Sequence, residues 1–118
     1  TKEVTNIFPE VKAIIHWGGA LKRQSFTARG DVDILIVLPA GTEIKPGSLQ
    51  LLKSKIAEVD LDPFAVTEDN LSKDPIITIG QSGDYKCHGM IHYQLKNESE
   101  VIYGDISILN LICKVSLP

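Results

Sequence analysis

A layered α/β or α+β domain, with a small mixed β-sheet flanked by helices, is the fold class this sequence predicts. Three observations carry it. Residues 32–38, Val-Asp-Ile-Leu-Ile-Val-Leu, are β-branched and almost wholly apolar over one strand's length, as expected of a strand covered on both faces. Residues 47–58 place Leu49, Leu52, Lys53, Ile56 and Ala57 at i, i+3, i+4, i+7 and i+8, the spacing of a helix with one buried stripe. Shorter apolar runs lie on either side, punctuated by Gly and Pro, so that strands and helix alternate around one core.

Taken in chain order, Pro9 opposes an early helix. In residues 11–17, Val11, Ala13, Ile15 and Trp17 alternate with Lys12, Ile14 and His16, which predicts a strand with one fully apolar face. Gly18-Gly19 ends that strand, residues 20–23 supply one helical turn, and 24–30 form a polar loop leading into the central strand. Pro39, Gly41 and Pro46-Gly47 then mark the turn into the helix. A third strand is expected over 59–66, with Asp60, Asp62, Phe64 and Val66 on one side. Residues 68–73 read as a capped turn and 76–80 as a short apolar run. The spacing over 85–95 suits a helix as well as a strand, and 101–117 holds one or two apolar elements of unassigned type.

At 118 residues the chain is expected to form one domain spanning 1–118. It is 43% hydrophobic and 23% charged, apolar enough to offset the entropy of ordering the chain, which argues against intrinsic disorder. Fifteen acidic against 12 basic side chains leave a net charge of -3, a balance that opposes extensive nucleic-acid binding through phosphate neutralisation. Cys87 and Cys113 are too few for a disulfide framework and read as core thiols in a reducing cytoplasm. No apolar run reaches the roughly 18 residues of a membrane span, and residues 1–5 lack the layout of a secretion signal. The expectation is a cytoplasmic protein without membrane contact.

Asp31 and Asp33 flank one residue where the polar loop enters the most apolar strand, and the two-residue strand period places both on one face. Two carboxylates beside so many aliphatics repel one another and are costly to keep ionised. A hard divalent cation such as Mg²⁺, which takes carboxylate oxygens and retains positions for water and phosphate, answers both costs. As an isolated pair the two acids read more readily as caps of a turn at the strand edge, and it is the upstream context that reverses this. Upstream, Trp17-Gly18-Gly19 ends one strand and opens a turn whose backbone N–H groups can approach a phosphate without Cβ obstruction.

The whole string is an apolar residue, Gly18-Gly19, eleven residues, then Asp31-Val32-Asp33-Ile34. It resembles the signature of the polymerase-β-like nucleotidyltransferase superfamily, in its minimal stand-alone members. That resemblance implies a nucleotidyltransferase fold and transfer of a nucleoside monophosphate from an NTP, ATP first, to a hydroxyl acceptor with release of pyrophosphate. It further implies that Gly18 and Gly19 hold the triphosphate and that Asp31 and Asp33 bind two Mg²⁺ ions, for which Mn²⁺ can substitute. The family uses a third carboxylate on a neighbouring strand. Asp62 and Asp60 both qualify, and counting back from Thr67 favours Asp62. The segment 97–104, ending Val101-Ile102-Tyr103-Gly104, resembles the stretch that closes many small members. Two departures are Gly19 in place of the commoner Ser and Gly30 where Ser is frequent.

Among other residues, Arg23 could neutralise a triphosphate and Ser25 could bond it, whereas Lys22 and Arg29 read as solvated loop charges. His88 and His92 would share a helical face without a matching acid, which falls short of a metal site. Trp17 reads as core packing. The larger family members carry a helical acceptor domain, so the resemblance implies a homo-oligomer or a helical protein partner here. The competing reading is a nucleotide-binding or antitoxin-like partner module of the same fold without turnover.

Overall fold

The computed structural model describes residues 1–17, 32–58, 60–73, 75–87, 95 and 97–112. Helix α1 (Lys2–Ile7) leads into β1 (Ala13–Trp17) and β2 (Val32–Leu38). Helix α2 (Pro46–Lys55) crosses to β3 (Leu61–Thr67), which runs directly into the single turn α3 (Glu68–Leu71). Strands β4 (Ile76–Gly80) and β5 (Gly83–Cys87) form a hairpin, and β6 (Glu100–Gly104) precedes a 3₁₀ helix, Ile106–Leu111. The six strands form one sheet in the order β5-β4-β3-β2-β1-β6. Among the described residues only β2 and β3 pair in parallel, and the other four ladders are antiparallel. Among the described residues no helix is long and apolar enough to cross a membrane.

The central strand coincides with the predicted one because seven residues of that composition have no solvated face to offer. Its even positions Val32, Ile34, Ile36 and Leu38 pack with Val4, Phe8, Leu49 and Leu52 beneath the two helices. Its odd positions Leu35 and Val37 pack with Ala13, Ile15, Trp17, Leu95 and Ile112 on the opposite face. Strand β1 is likewise buried at all five residues, so both faces are covered where alternation predicted one.

Helix α1 departs from the expectation at Pro9. The helix closes at Ile7, with the Phe8 amide donating to the Val4 carbonyl at 2.7 Å. Pro9 therefore follows a completed helix and does not interrupt one. Burial of Val4 and Phe8 against the helix face of the sheet holds this short segment, which would be marginal alone.

Helix α2 begins with Pro46 in its first turn and ends with Lys53 and Lys55 near its carbonyl end, both favourable placements. Leu49 and Leu52 are fully buried, contributing about 2 kcal/mol each. It stops short of the predicted residue 58. Ile56 is extended, with φ -116° and ψ 95°, and still packs against the same core. The stripe that suggested a longer helix is thus satisfied by a residue already turning towards β3.

The segment 101–117 resolves, in its described part, into β6 and the 3₁₀ helix. The latter is capped by the Asp105 carboxylate, which accepts from the Ser107 amide at 2.9 Å; this bond holds the Asp105 carboxyl below the usual range. Strand β6 sits on β1, and at its end Gly104 adopts φ +91°. A Cβ there would overlap the Lys12 carbonyl and come within 2.9 Å of Ala13 Cα, so both conformation and space require glycine.

Candidate active site

The parallel ladder between β2 and β3 runs Val32 with Leu61, Asp33 with Asp62, and so on to Leu38 with Thr67. Asp33 and Asp62 are therefore register partners on neighbouring strands, which lie about 4.8 Å apart. Both are half-buried. They share the face of Leu35, Val37, Phe64 and Val66, opposite helices α1 and α2. On its other side Asp33 is the partner of Trp17 in the antiparallel β1–β2 ladder. Three adjacent strands thus place Trp17, Asp33 and Asp62 side by side at one end of the sheet.

Trp17 is 8% exposed and packs in the core beneath this face, as expected from sequence. Its indole N–H has no hydrogen-bond partner among the described residues. On the other face His16 is 2% exposed, and burial holds its imidazole below the ordinary value against the opposing pull of Glu100.

Asp60, the alternative third carboxylate, has partners of its own. It precedes β3, and its carboxylate accepts from Lys53 Nζ at 3.0 Å. The same ammonium donates to the Leu61 carbonyl at 2.7 Å, while the Asp60 carbonyl accepts from the Val32 amide at 2.7 Å. Lys53 therefore fastens the end of α2 to the first residues of β3. The sequence reading put Asp60 and Asp62 on one strand face; because β3 begins at Leu61, Asp60 lies before the strand period applies.

Gly18, Gly19, Arg23, Ser25 and Asp31 lie outside the described residues, as do Lys22, Arg29, His88, His92, Cys113 and the Cys87 side chain. Among the described residues no group of three or more His, Cys, Asp or Glu is gathered to hold a metal; the structure brings two together, Asp33 and Asp62. Two oxygen-donor carboxylates with half-open exposure suit a hard divalent cation, and a cation relieves their mutual repulsion.

Beside Asp62, away from Asp33, lies a cleft of about 240 Å³ lined by Asp62, Phe64 and the hairpin from Gly80 to Tyr85. The rings of Phe64 and Tyr85 are 5.3 Å apart and tilted by 47°. Sequence reasoning did not single out this aromatic pair. The signal was Gly80-Gln81-Ser82-Gly83, a two-residue hairpin turn that folds Tyr85 back towards β3.

A scan of protein-family models and a search of curated proteins each return no match. Among solved structures, the crystal structure of spectinomycin adenyltransferase AAD(9) from Enterococcus faecialis with ATP and spectinomycin is similar, with a TM-score of 0.65 at 13% sequence identity. The chain shares its fold with that adenyltransferase. The match covers 98% of this chain and 56% of that chain, so the chain spans just over half the length of this neighbour. At this identity the likeness concerns backbone architecture: the six-stranded mixed sheet and its helices.

Proposed function

We propose that this chain is a magnesium-dependent nucleotidyltransferase, moving a nucleoside monophosphate from an NTP, ATP first, to a hydroxyl acceptor and releasing pyrophosphate. The observation that carries the reading is the register pairing of Asp33 with Asp62, beside Trp17. The similarity to an adenyltransferase crystallised with ATP agrees with it.

In this reading Asp31, Asp33 and Asp62 are the carboxylates that would hold Mg²⁺, and Gly18 and Gly19, with Arg23 and Ser25, meet the triphosphate. Bound Mg²⁺ supplies charge neutralisation at the transferring phosphoryl group and activation of the attacking oxygen. The chain's own contribution is placement. Strand pairing fixes two acids at one height, and the packed Trp17 holds the end of β1 beside them. The resemblance to the small family members implies that a second copy or a helical protein partner completes the acceptor side.

The test is incubation with α-labelled ATP, Mg²⁺ and candidate hydroxyl acceptors, following labelled product and pyrophosphate. Transfer that is lost in Asp31→Asn and Asp33→Asn is the expected result. ATP binding without transfer to any acceptor would identify a partner module without turnover, and normal turnover by Asp31→Asn would remove the metal assignment.

A further inference from the structure

Strand β5 lies at one end of the sheet order, with β4 as its neighbour among the described residues. All five of its residues pair with β4 in unbroken register, from Gly80 with Gly83 to Ile76 with Cys87. The pair that flanks a two-residue turn is a hydrogen-bonded one, and such pairs alternate along an antiparallel ladder. Gly83 and Tyr85 therefore turn their backbone groups to β4, whereas the N–H and C=O groups of Asp84 and Lys86 are directed away from it. Residues 84–86 are all exposed, Tyr85 to 50%. Asp84 and Lys86 are the register partners of Ile79 and Ile77, so their side chains share one face. Tyr85 stands on the other, with its ring against Phe64. Among the described residues neither Asp84 nor Lys86 has an ion-pair partner.

We propose that β5 is a dimerisation edge whose occupant is β5 of a second copy of this chain, related by a two-fold axis at Tyr85. An antiparallel pair centred there sets Asp84 opposite Lys86 of the second copy and Lys86 opposite Asp84 of the second copy. The residues so matched are the two whose backbone groups point outward, so the new ladder is in hydrogen-bonding phase. Each match also joins unlike charges, with Cα atoms about 5.5 Å apart. Centring on Asp84 or on Lys86 would instead set like charge against like, and centring between residues would set an outward residue against an inward one. On the other face Tyr85 meets Tyr85 of the second copy, extending the contact with Phe64 into an aromatic row across the axis.

The order Asp-Tyr-Lys is thus complementary to itself read backwards, as a two-fold interface requires. The opposite edge, β6, is a poorer template: a bulge between Ile14 and Ile15 of β1 breaks its register, and its one charged residue is Glu100. Five residues a side is less than a standard interface buries, so association is expected between micromolar and millimolar. The inference does not depend on the nucleotidyl-transfer reading.

The test is sedimentation equilibrium of the full chain from micromolar to millimolar concentration. The mass should rise from the chain's 12.9 kDa towards twice that value. Asp84→Lys and Lys86→Asp each put like charges opposite at both contacts and should weaken association at least about tenfold. Their equimolar mixture, and the double variant Asp84→Lys/Lys86→Asp, restore unlike pairs and should recover the parent's dimer. Thermal melts at low concentration, expected to coincide, separate loss of association from loss of folding. In the parent, amide hydrogen exchange at Asp84 and Lys86 should slow as concentration rises. A parent that stays monomeric throughout would overturn the proposal, as would a dimer indifferent to both single variants or one that neither the mixture nor the double variant restores. Should a single variant fail to fold, the exchange measurement decides, and no concentration dependence at Asp84 and Lys86 overturns the interface.

Discussion

Asp33 and Asp62 face each other across the parallel β2–β3 ladder, so each carboxylate sits in the other's field. Like charges directly opposite on a sheet are unfavourable by about 0.2–1 kcal/mol. Without metal, Asp33→Asn is therefore expected to match or slightly exceed the parent in Tm. With Mg²⁺ or Mn²⁺ the parent alone should gain stability, and transfer by the variant should fall more than about 100-fold. Thermal melts with and without metal, beside the transfer assay, check both signs; a variant destabilised without metal would mean that the pair is held by something else.

Asp60 and Asp62 are separated by the same experiment. The Lys53–Asp60 pair is solvent-exposed, at 40% and 63% of the two side chains, and such pairs contribute about 0–1 kcal/mol. Asp60→Asn is expected to lower stability by no more than that and to leave Mn²⁺ affinity unchanged, whereas Asp62→Asn abolishes Mn²⁺ binding. Mn²⁺ paramagnetic resonance titrations distinguish the two.

Glycine matters by position. Gly104→Ala should cost about 3 kcal/mol, since residue 104 combines φ +91° with overlap on the Lys12 carbonyl. Gly47→Ala, in the first turn of α2 with nothing within 4 Å of its added Cβ, should instead stabilise by about 0.5 kcal/mol. Chemical denaturation of the two variants measures the contrast.

His16 makes stability depend on pH. Burial lowers its folded pKa, so the folded state resists a proton that the unfolded chain accepts near pH 6.5. Its contribution is therefore fully present above that pH and is lost as pH falls, by at most about 1.4 kcal/mol per pH unit. His16→Gln should flatten the profile of Tm between pH 7.5 and 5; an unchanged slope would assign the acid sensitivity to other groups.

How much of this was legible in the sequence depends on how local the determinant is. Residues 32–38 announced a buried strand because every position but Asp33 is apolar. Asp33 and Asp62 could be nominated, but their pairing is a property of register between strands 29 residues apart in sequence, which periodicity within either strand does not contain. The end of α2 was misread because Ile56 reaches the same core from an extended backbone, and burial pattern alone does not separate the two routes. Helix α1 was missed because Pro9 was read as forbidding what it only delimits. For 85–95, the strand at its start is fixed by pairing with β4, a partner that local spacing does not reveal.

Strand β6 bears on how the chain is made. It supplies the outer ladder of β1, with Ala13 against Gly104 and Ile14 against Tyr103, so β1 leaves the ribosome well before the strand that satisfies its second edge. During synthesis that edge stays open to misassociation until residue 104 emerges, and premature termination upstream of Glu100 would release a product with the flank of β1 bare.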